Sequence, residues 1–196
     1  MATIEALLAE TGAGRTSLLA RLRKLVAVGG LPVEPSSSTA TSCGLRGRVW
    51  KLLLGVERVD AKRYAGLVAL GEHPDFGQKI SNDTFRTFPS DDVFTRRVPE
   101  VKLIRVLNAF AHAHAAPDRG GVGYLQGMNV LCAPLLFALP EPDAFAAFEA
   151  LAARVLPAYL QRNLEGAKAG CALVGEVLAV ADPALSEPLG SSQPRT

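Results

Sequence analysis

Residues 99–114, PEVKLIRVLNAFAHAH, decide the fold class. Pro99 has a φ already suited to a first helical turn and lacks only an N–H that a helix start leaves unpaired. Val101, Ile104, Leu107 and Phe110 then recur at helical spacing, which predicts a long amphipathic helix opened by Pro99. Its apolar face must be covered by other elements, and the rest of the chain offers helices rather than strands. Alanine and leucine are abundant, while isoleucine is limited to Ile4, Ile80 and Ile104. That mixture favours helix over sheet. Strand alternation, a βαβ rhythm and a fixed-period repeat are all missing from the pattern. The expected fold is all-α, with about eight helices.

Toward the C-terminus, residues 115–123, AAPDRGGVG, read as a loop. Tyr124 begins an apolar helix, YLQGMNVLCAPLLFAL, with a kink expected at Pro134. Pro140 and Pro142 break the chain, Asp143 caps a helix through AFAAFEALAARVL, and a last helix lies near 164–180. The tail SEPLGSSQPRT reads as disordered. Toward the N-terminus, residues 1–30 form a helical segment. Thr16 or Ser17 caps SLLARLRKLVAV, with Leu18, Leu22, Leu25 and Val26 on one face and Gly29 and Gly30 as the stop. Residues 31–42, LPVEPSSSTATS, are a Pro/Ser/Thr linker. Helices follow over about 45–54, stopped by Gly55, and about 60–70. The segment QKISNDTFRTFPSDD is polar and turn-rich, yet carries Ile80, Phe85 and Phe88.

Composition narrows the function classes. The 196 residues suit one domain or little more. Lys plus Arg is 21 and Asp plus Glu is 19, a formal net charge of +2, without the basic excess of a dedicated nucleic-acid binder. Cys43, Cys132 and Cys171 lack CxxC spacing, which excludes a disulfide scaffold and a structural zinc site and fits a reducing compartment. The longest strongly apolar stretch, VLCAPLLFAL, falls well short of the roughly 20 residues that span a bilayer. The N-terminus MATIEALLAE is acidic where a secretory signal is basic, so a cytoplasmic protein is expected.

Enzyme motifs are sparse. GxSxG, HExxH and an EF-hand loop do not occur. TGAGRTS at 11–17 resembles a phosphate loop, but Ala9 stands for its first glycine and Arg15 for its lysine, so a helix start is the better reading. His112 and His114 point apart on a helix and cannot share a metal; His73 stands isolated in the sequence. Three other segments stand out. LRGRVWKLLLG places Arg46 and the sole tryptophan, Trp50, four residues apart on one helical face. ISNDTFR spaces Ile80, Asp83 and Arg86 three by three, which alone reads as a helical turn with an internal ion pair. YLQGMNVL places Tyr124 and Gln126 at a helix start.

In this order the three segments resemble the RxxxW, IxxDxxR and YxQ signatures of the TBC-domain GTPase-activating proteins, which act on Rab-type small GTPases. The longer stretches QKISNDTFRTF, YLQGMNVLCAPLLFALPEP and LPAYLQRNLEGAK are similar to the fungal mitotic-exit checkpoint branch of that family. The resemblance implies a multi-helix TBC-like fold over residues 43–187, with an N-terminal lobe and the start of a second. It implies that the family's later helices have no counterpart here, that apolar surface is exposed where they would pack, and that residues 188–196 are tail. It implies an enzyme activator rather than an enzyme: Arg86 is the arginine finger and Gln126 the glutamine finger, both supplied in trans. Asp83 would set the local conformation, pairing with Arg46; Trp50 and Tyr124 would pack behind the site, and Ile80 would be core. The partners implied are a Rab-like GTPase and a scaffold protein at the spindle pole body, with no nucleic acid and no integral membrane contact. No cofactor belongs to the chain, since GTP and Mg²⁺ come with the GTPase. The rival reading is a truncated module that binds a GTPase or scaffold without stimulating hydrolysis.

Overall fold

A computed structural model describes residues 4–9, 14–32, 43–115, 122–161 and 163–190. Among them are eleven α-helices, a π-helical turn and no strand. The helices are α1 (Ile4–Ala9), α2 (Arg15–Gly29), α3 (Leu45–Leu54), α4 (Ala61–Val68), α5 (Gly77–Phe85) and α6 (Asp92–Arg97). They continue as α7 (Glu100–His114), α8 (Met128–Ala138), α9 (Glu141–Ala150), α10 (Glu165–Ala181) and α11 (Pro183–Gly190), with the π-helical turn at Leu151–Val155. The fold is all-α, as the sequence predicted. Contacts divide the chain into two units, residues 1–155 and 156–196.

In the first unit α7 is central and packs against α4, α5, α8 and α9. Pro99 precedes it as expected, but its buried face is Leu103, Val106, Leu107 and Phe110. Val101 is exposed and Ile104 half-buried, because the packed neighbours cover the stripe that starts at Leu103 instead. Phe110 meets Phe148 of α9 with ring centroids 4.8 Å apart. Each such buried side chain contributes about 1.5–3 kcal/mol. Polar ties close the rim. Arg105 holds Glu141 through two hydrogen bonds of 2.7 and 2.8 Å, and the Tyr64 hydroxyl donates to the same carboxylate at 2.6 Å. Arg63 makes a similar two-point contact with Glu149.

The N-terminal helices join this unit through Leu7, Leu22 and Val49, which form a buried cluster linking α1, α2 and α3. Several boundaries differ from expectation. Thr16 and Ser17 lie inside α2, which begins after Gly14 without a side-chain cap. Asp143 sits in the first turn of α9 and pairs with Lys51 at 2.5 Å; Pro140 holds the cap position. Gly55 does end α3, in the left-handed conformation at φ 72°. Of the segment read as turn-rich, residues 78–85 belong to the helix α5, where Gln78 donates to Asn82 and the Thr84 hydroxyl to Glu100 of α7, while residues 86–90 form the expected turns. His73 is not isolated: it is buried, with its ring 4.7 Å from His112 and 5.0 Å from Phe76. Most of the predicted linker, residues 33–42, and most of the 115–123 loop lie outside the described residues, as do residues 191–196.

In the second unit α10 packs against α11. The stretch predicted to be tail therefore continues as helix to Gly190, with Pro188 inside it. No residue of α10 is buried, and Leu173, Val174, Val177 and Val180 are exposed.

Candidate functional site

Two segments distant in sequence converge at the end of α5. Ile80 anchors the helix in the core with no exposed surface. One turn on, the Asp83 side chain is 4% exposed. A buried carboxylate requires donors on both oxygens. Arg86 donates to Oδ1 through Nη2, and the Tyr124 hydroxyl donates to Oδ2 at 2.9 Å. The structure therefore gives Asp83 the Arg86 partner that the three-residue spacing predicted, and adds Tyr124 where the resemblance implied Arg46. Burial pushes the Tyr124 phenol well above its ordinary pKa, and the bond to Asp83 adds to this. Tyr124 thus remains a neutral donor across the physiological range.

Asn129 completes the link. Its Nδ2 donates to the Asp83 carbonyl at 3.1 Å and to Thr87 Oγ1 at 2.8 Å. Its Oδ1 accepts from the Gly127 N–H at 3.1 Å. The Thr87 hydroxyl in turn donates to the Asp83 carbonyl at 2.8 Å. One buried set of side chains thus holds both the α5 terminus and the turn carrying Gln126.

The helix predicted from Tyr124 begins only at Met128. Tyr124 to Gly127 form a turn closed by Gly127 at φ 98°, a conformation glycine adopts without a Cβ penalty. The later start leaves Gln126 exposed, and among the described residues its side chain has no hydrogen-bond partner. The Arg86 side chain is 60% exposed although it is tethered to Asp83. Two polar side chains of different chemistry, one cationic and one amide, thus project from a rigid buried frame. Such a pair can contact an anionic group and orient a water.

The first motif is not part of this frame. Arg46 and Trp50 line a separate cavity beside Phe88. Trp50 is half-buried and packs against the Leu7, Leu22 and Val49 cluster, not behind Asp83. Asn82 accepts from Gln78 at 3.1 Å on the surface, while the Thr84 hydroxyl donates to the Ser81 carbonyl at 2.9 Å and to Glu100 at 3.3 Å. Sequence reasoning passed over Thr87, and noted Phe85, which is 77% exposed beside Arg86, only as an apolar residue of its segment. A threonine four residues after Asp83 was the available signal, since its hydroxyl can bond back to that carbonyl.

A family model for the Rab-GTPase-TBC domain matches residues 43–193, and all three motif segments fall inside that range. The chain belongs to the Rab-GTPase-TBC family. This TBC chain is similar to the putative mitotic check point protein BUB2 of Dictyostelium discoideum, at 36% identity over 86% of the chain and 46% of that protein. It is 38% identical to the mitotic check point protein BUB2 of Saccharomyces cerevisiae, over 95% of the chain and 63% of that protein. Cell division control protein 16 of Schizosaccharomyces pombe matches at 32% over 86% and 53%. The TBC chain thus spans about half the length of the curated relatives it matches. The crystal structure of a Chlamydomonas flagellar RabGAP TBC domain superposes with a TM-score of 0.61 at 25% identity, covering 91% of this chain and 55% of that one. Among the described residues no helix is long and apolar enough to cross a membrane, and no three potential ligands cluster for a metal.

Proposed function

We propose that this chain is a GTPase-activating domain that completes the active site of a Rab-like small GTPase and restrains mitotic exit. The observation that carries the reading is the shared frame: Arg86 and Gln126 are both exposed, and Asp83, Tyr124 and Asn129 hold their segments together. GTP hydrolysis needs a positioned water and compensation of charge spreading over the phosphates. Arg86, always charged and planar, suits the phosphate oxygens. Gln126 suits the water, since its amide both accepts and donates. GTP and Mg²⁺ reside on the GTPase, so the chain contributes side chains in trans and is itself no enzyme. Asp83 acts as a positioning residue: it orients Arg86 until the phosphate draws the guanidinium away. The likeness to mitotic check point and cell division control proteins supports a role in restraining mitotic exit, and a scaffold partner and a place at the spindle pole belong to the same proposal.

The test is single-turnover GTP hydrolysis by a panel of Rab-type and mitotic-exit GTPases. Stimulation should fall by about 10³–10⁵ with Arg86→Ala. A folded Arg86→Ala protein that keeps full stimulation would overturn the assignment. The second reading, binding without stimulation, draws on one observation: the Arg86 guanidinium is already engaged by Asp83. A pure binder keeps its affinity for the GTPase in Arg86→Ala and never accelerates hydrolysis.

A further inference from the structure

α5 runs out into the stretch Phe85-Arg86-Thr87-Phe88, where the exposed guanidinium is flanked by two phenyl rings. The solvent face of the helix is otherwise polar: Gln78, Lys79 and Asn82 are exposed, and Gln78 donates to Asn82. Phe85 breaks that pattern at 77% exposed. The two phenyls differ. Phe88 rests edge-on against Phe94 with centroids 5.3 Å apart, whereas the Phe85 ring pairs with no other ring or cation among the described residues. The backbone of Phe85 is nonetheless held on both sides. Thr84 before it is buried, Arg86 after it is tied to Asp83, and the Thr87 hydroxyl donates back to the Asp83 carbonyl.

A second exposed apolar side chain stands on the Gln126 segment. Val130 is 47% exposed and follows Gln126 by four residues. Its neighbour Asn129 donates to the Asp83 carbonyl at 3.1 Å. Phe85 and Val130 are therefore both within two residues of the bond that joins the Arg86 and Gln126 segments. Single exposed hydrophobic residues need no explanation. One on each segment of the same frame, beside each exposed polar group, does need one.

The size of a protein interface selects the occupant. A stable interface covers about 800 Å² per partner, a disc about 30 Å across. Adjacent Cα atoms are about 3.8 Å apart, so a protein that brings a phosphate to Arg86 also covers Phe85. A small anion would reach Arg86 and leave the Phe85 ring in water. An aromatic ring desolvated beside an arginine, near the centre of an interface, is the arrangement that dominates binding energy. We infer that Phe85, supported by Val130, anchors the GTPase: its ring packs on an apolar surface bordering the nucleotide site and supplies affinity, while Arg86 and Gln126 act on the phosphate and the water. This role rests on the GTPase-activating reading and adds the contact that sets which GTPases bind. A GTPase with a charged surface at that place leaves the ring without a partner and is rejected.

Two readouts separate affinity from chemistry. Single-turnover hydrolysis by the panel of Rab-type and mitotic-exit GTPases is followed against the concentration of the full chain. Binding of the same GTPases, loaded with a non-hydrolysable GTP analogue, is measured by calorimetry. Phe85→Ala should raise the half-saturating concentration and the Kd by about tenfold or more and leave the plateau rate within about twofold of the parent's. Arg86→Ala should lower the plateau instead. Phe85→Leu, which keeps an apolar side chain, should recover most of the affinity. Val28→Ala, at an exposed apolar residue of α2 outside both segments, should bind as the parent does. If Phe85→Ala shifts the melting curve, Phe85→Gln, which keeps a long side chain and removes the ring, gives the same reading. Parent-like affinity in both Phe85→Ala and Phe85→Gln overturns the anchoring role and leaves the GTPase-activating reading standing. So does a parent dimer that Phe85→Ala dissociates with GTPase affinity unchanged, which assigns the patch to a second copy of the chain. A parent that neither binds nor stimulates any GTPase of the panel overturns both together.

Discussion

Replacing Tyr124 by phenylalanine removes one oxygen atom from the buried frame and leaves the ring in place. The residue is 2% exposed, so the packing term is preserved and the hydroxyl alone is tested. That hydroxyl is the donor to Asp83 Oδ2, and the carboxylate is too deeply buried for bulk water to replace it. Hydrogen bonds to charged groups contribute about 1.5–3 kcal/mol, and a buried acceptor left without a donor costs about the same. The Arg86 pair cannot compensate, because it engages the other oxygen and its cation is largely solvated. The expected loss is therefore about 2 kcal/mol, which for a chain of this size lowers the melting temperature by about 4–8 °C. Thermal unfolding followed by circular dichroism measures it. A double-mutant cycle with Asp83→Asn assigns it: the hydroxyl should contribute much less once the carboxylate has gone. Melting of Tyr124→Phe within 1 °C of the parent would refute the frame, as would equal losses in both backgrounds.

Other positions give sharper local tests. A Cβ at Gly47 would lie 2.6 Å from Leu139 Cδ2 and 2.7 Å from the Ala138 carbonyl oxygen, so Gly47→Ala should destabilise by about 1–3 kcal/mol in urea unfolding. Gly127→Ala meets open space but a positive φ, so it should cost about 1–2 kcal/mol and reduce stimulated hydrolysis more than Gly47→Ala does, by displacing Gln126. Burial alone would raise the Glu149 pKa, but hydrogen bonds from His114 and Arg63 outweigh it and bring the carboxyl down to about 2. A carboxyl depressed from its ordinary 4.5 adds stability above that pH and loses it as pH falls toward 2. The melting temperature of Glu149→Gln should accordingly fall less than the parent's between pH 5 and 3; parallel curves would contradict the pairing.

Local information was enough for the helical class and for several helix ends. Pro99 opens α7 and Gly55 closes α3, because each acts through its own backbone dihedral whatever surrounds it. Asp83 and Arg86 likewise pair within a single turn, as spacing alone predicts. Residue types in order were also enough to place the chain in its family. Other features depended on partners far along the chain. α5 looks polar and turn-rich in sequence, yet it is held as a helix because Ile80 and Asp83 are buried against other helices. Tyr124 resembles a helix start, but its hydroxyl is bound to Asp83, 41 residues earlier, and the helix begins only after Gly127. The face of α7 that is covered follows from four packed neighbours, not from its own periodicity. Arg46 and Trp50 share a helical face in any reading, but their place on an aromatic-walled cavity with residues of α6 and α8 follows only from the folded chain. Dihedral preferences and short spacings are written residue by residue, whereas burial and a charge's partner are properties of what the folded chain brings alongside.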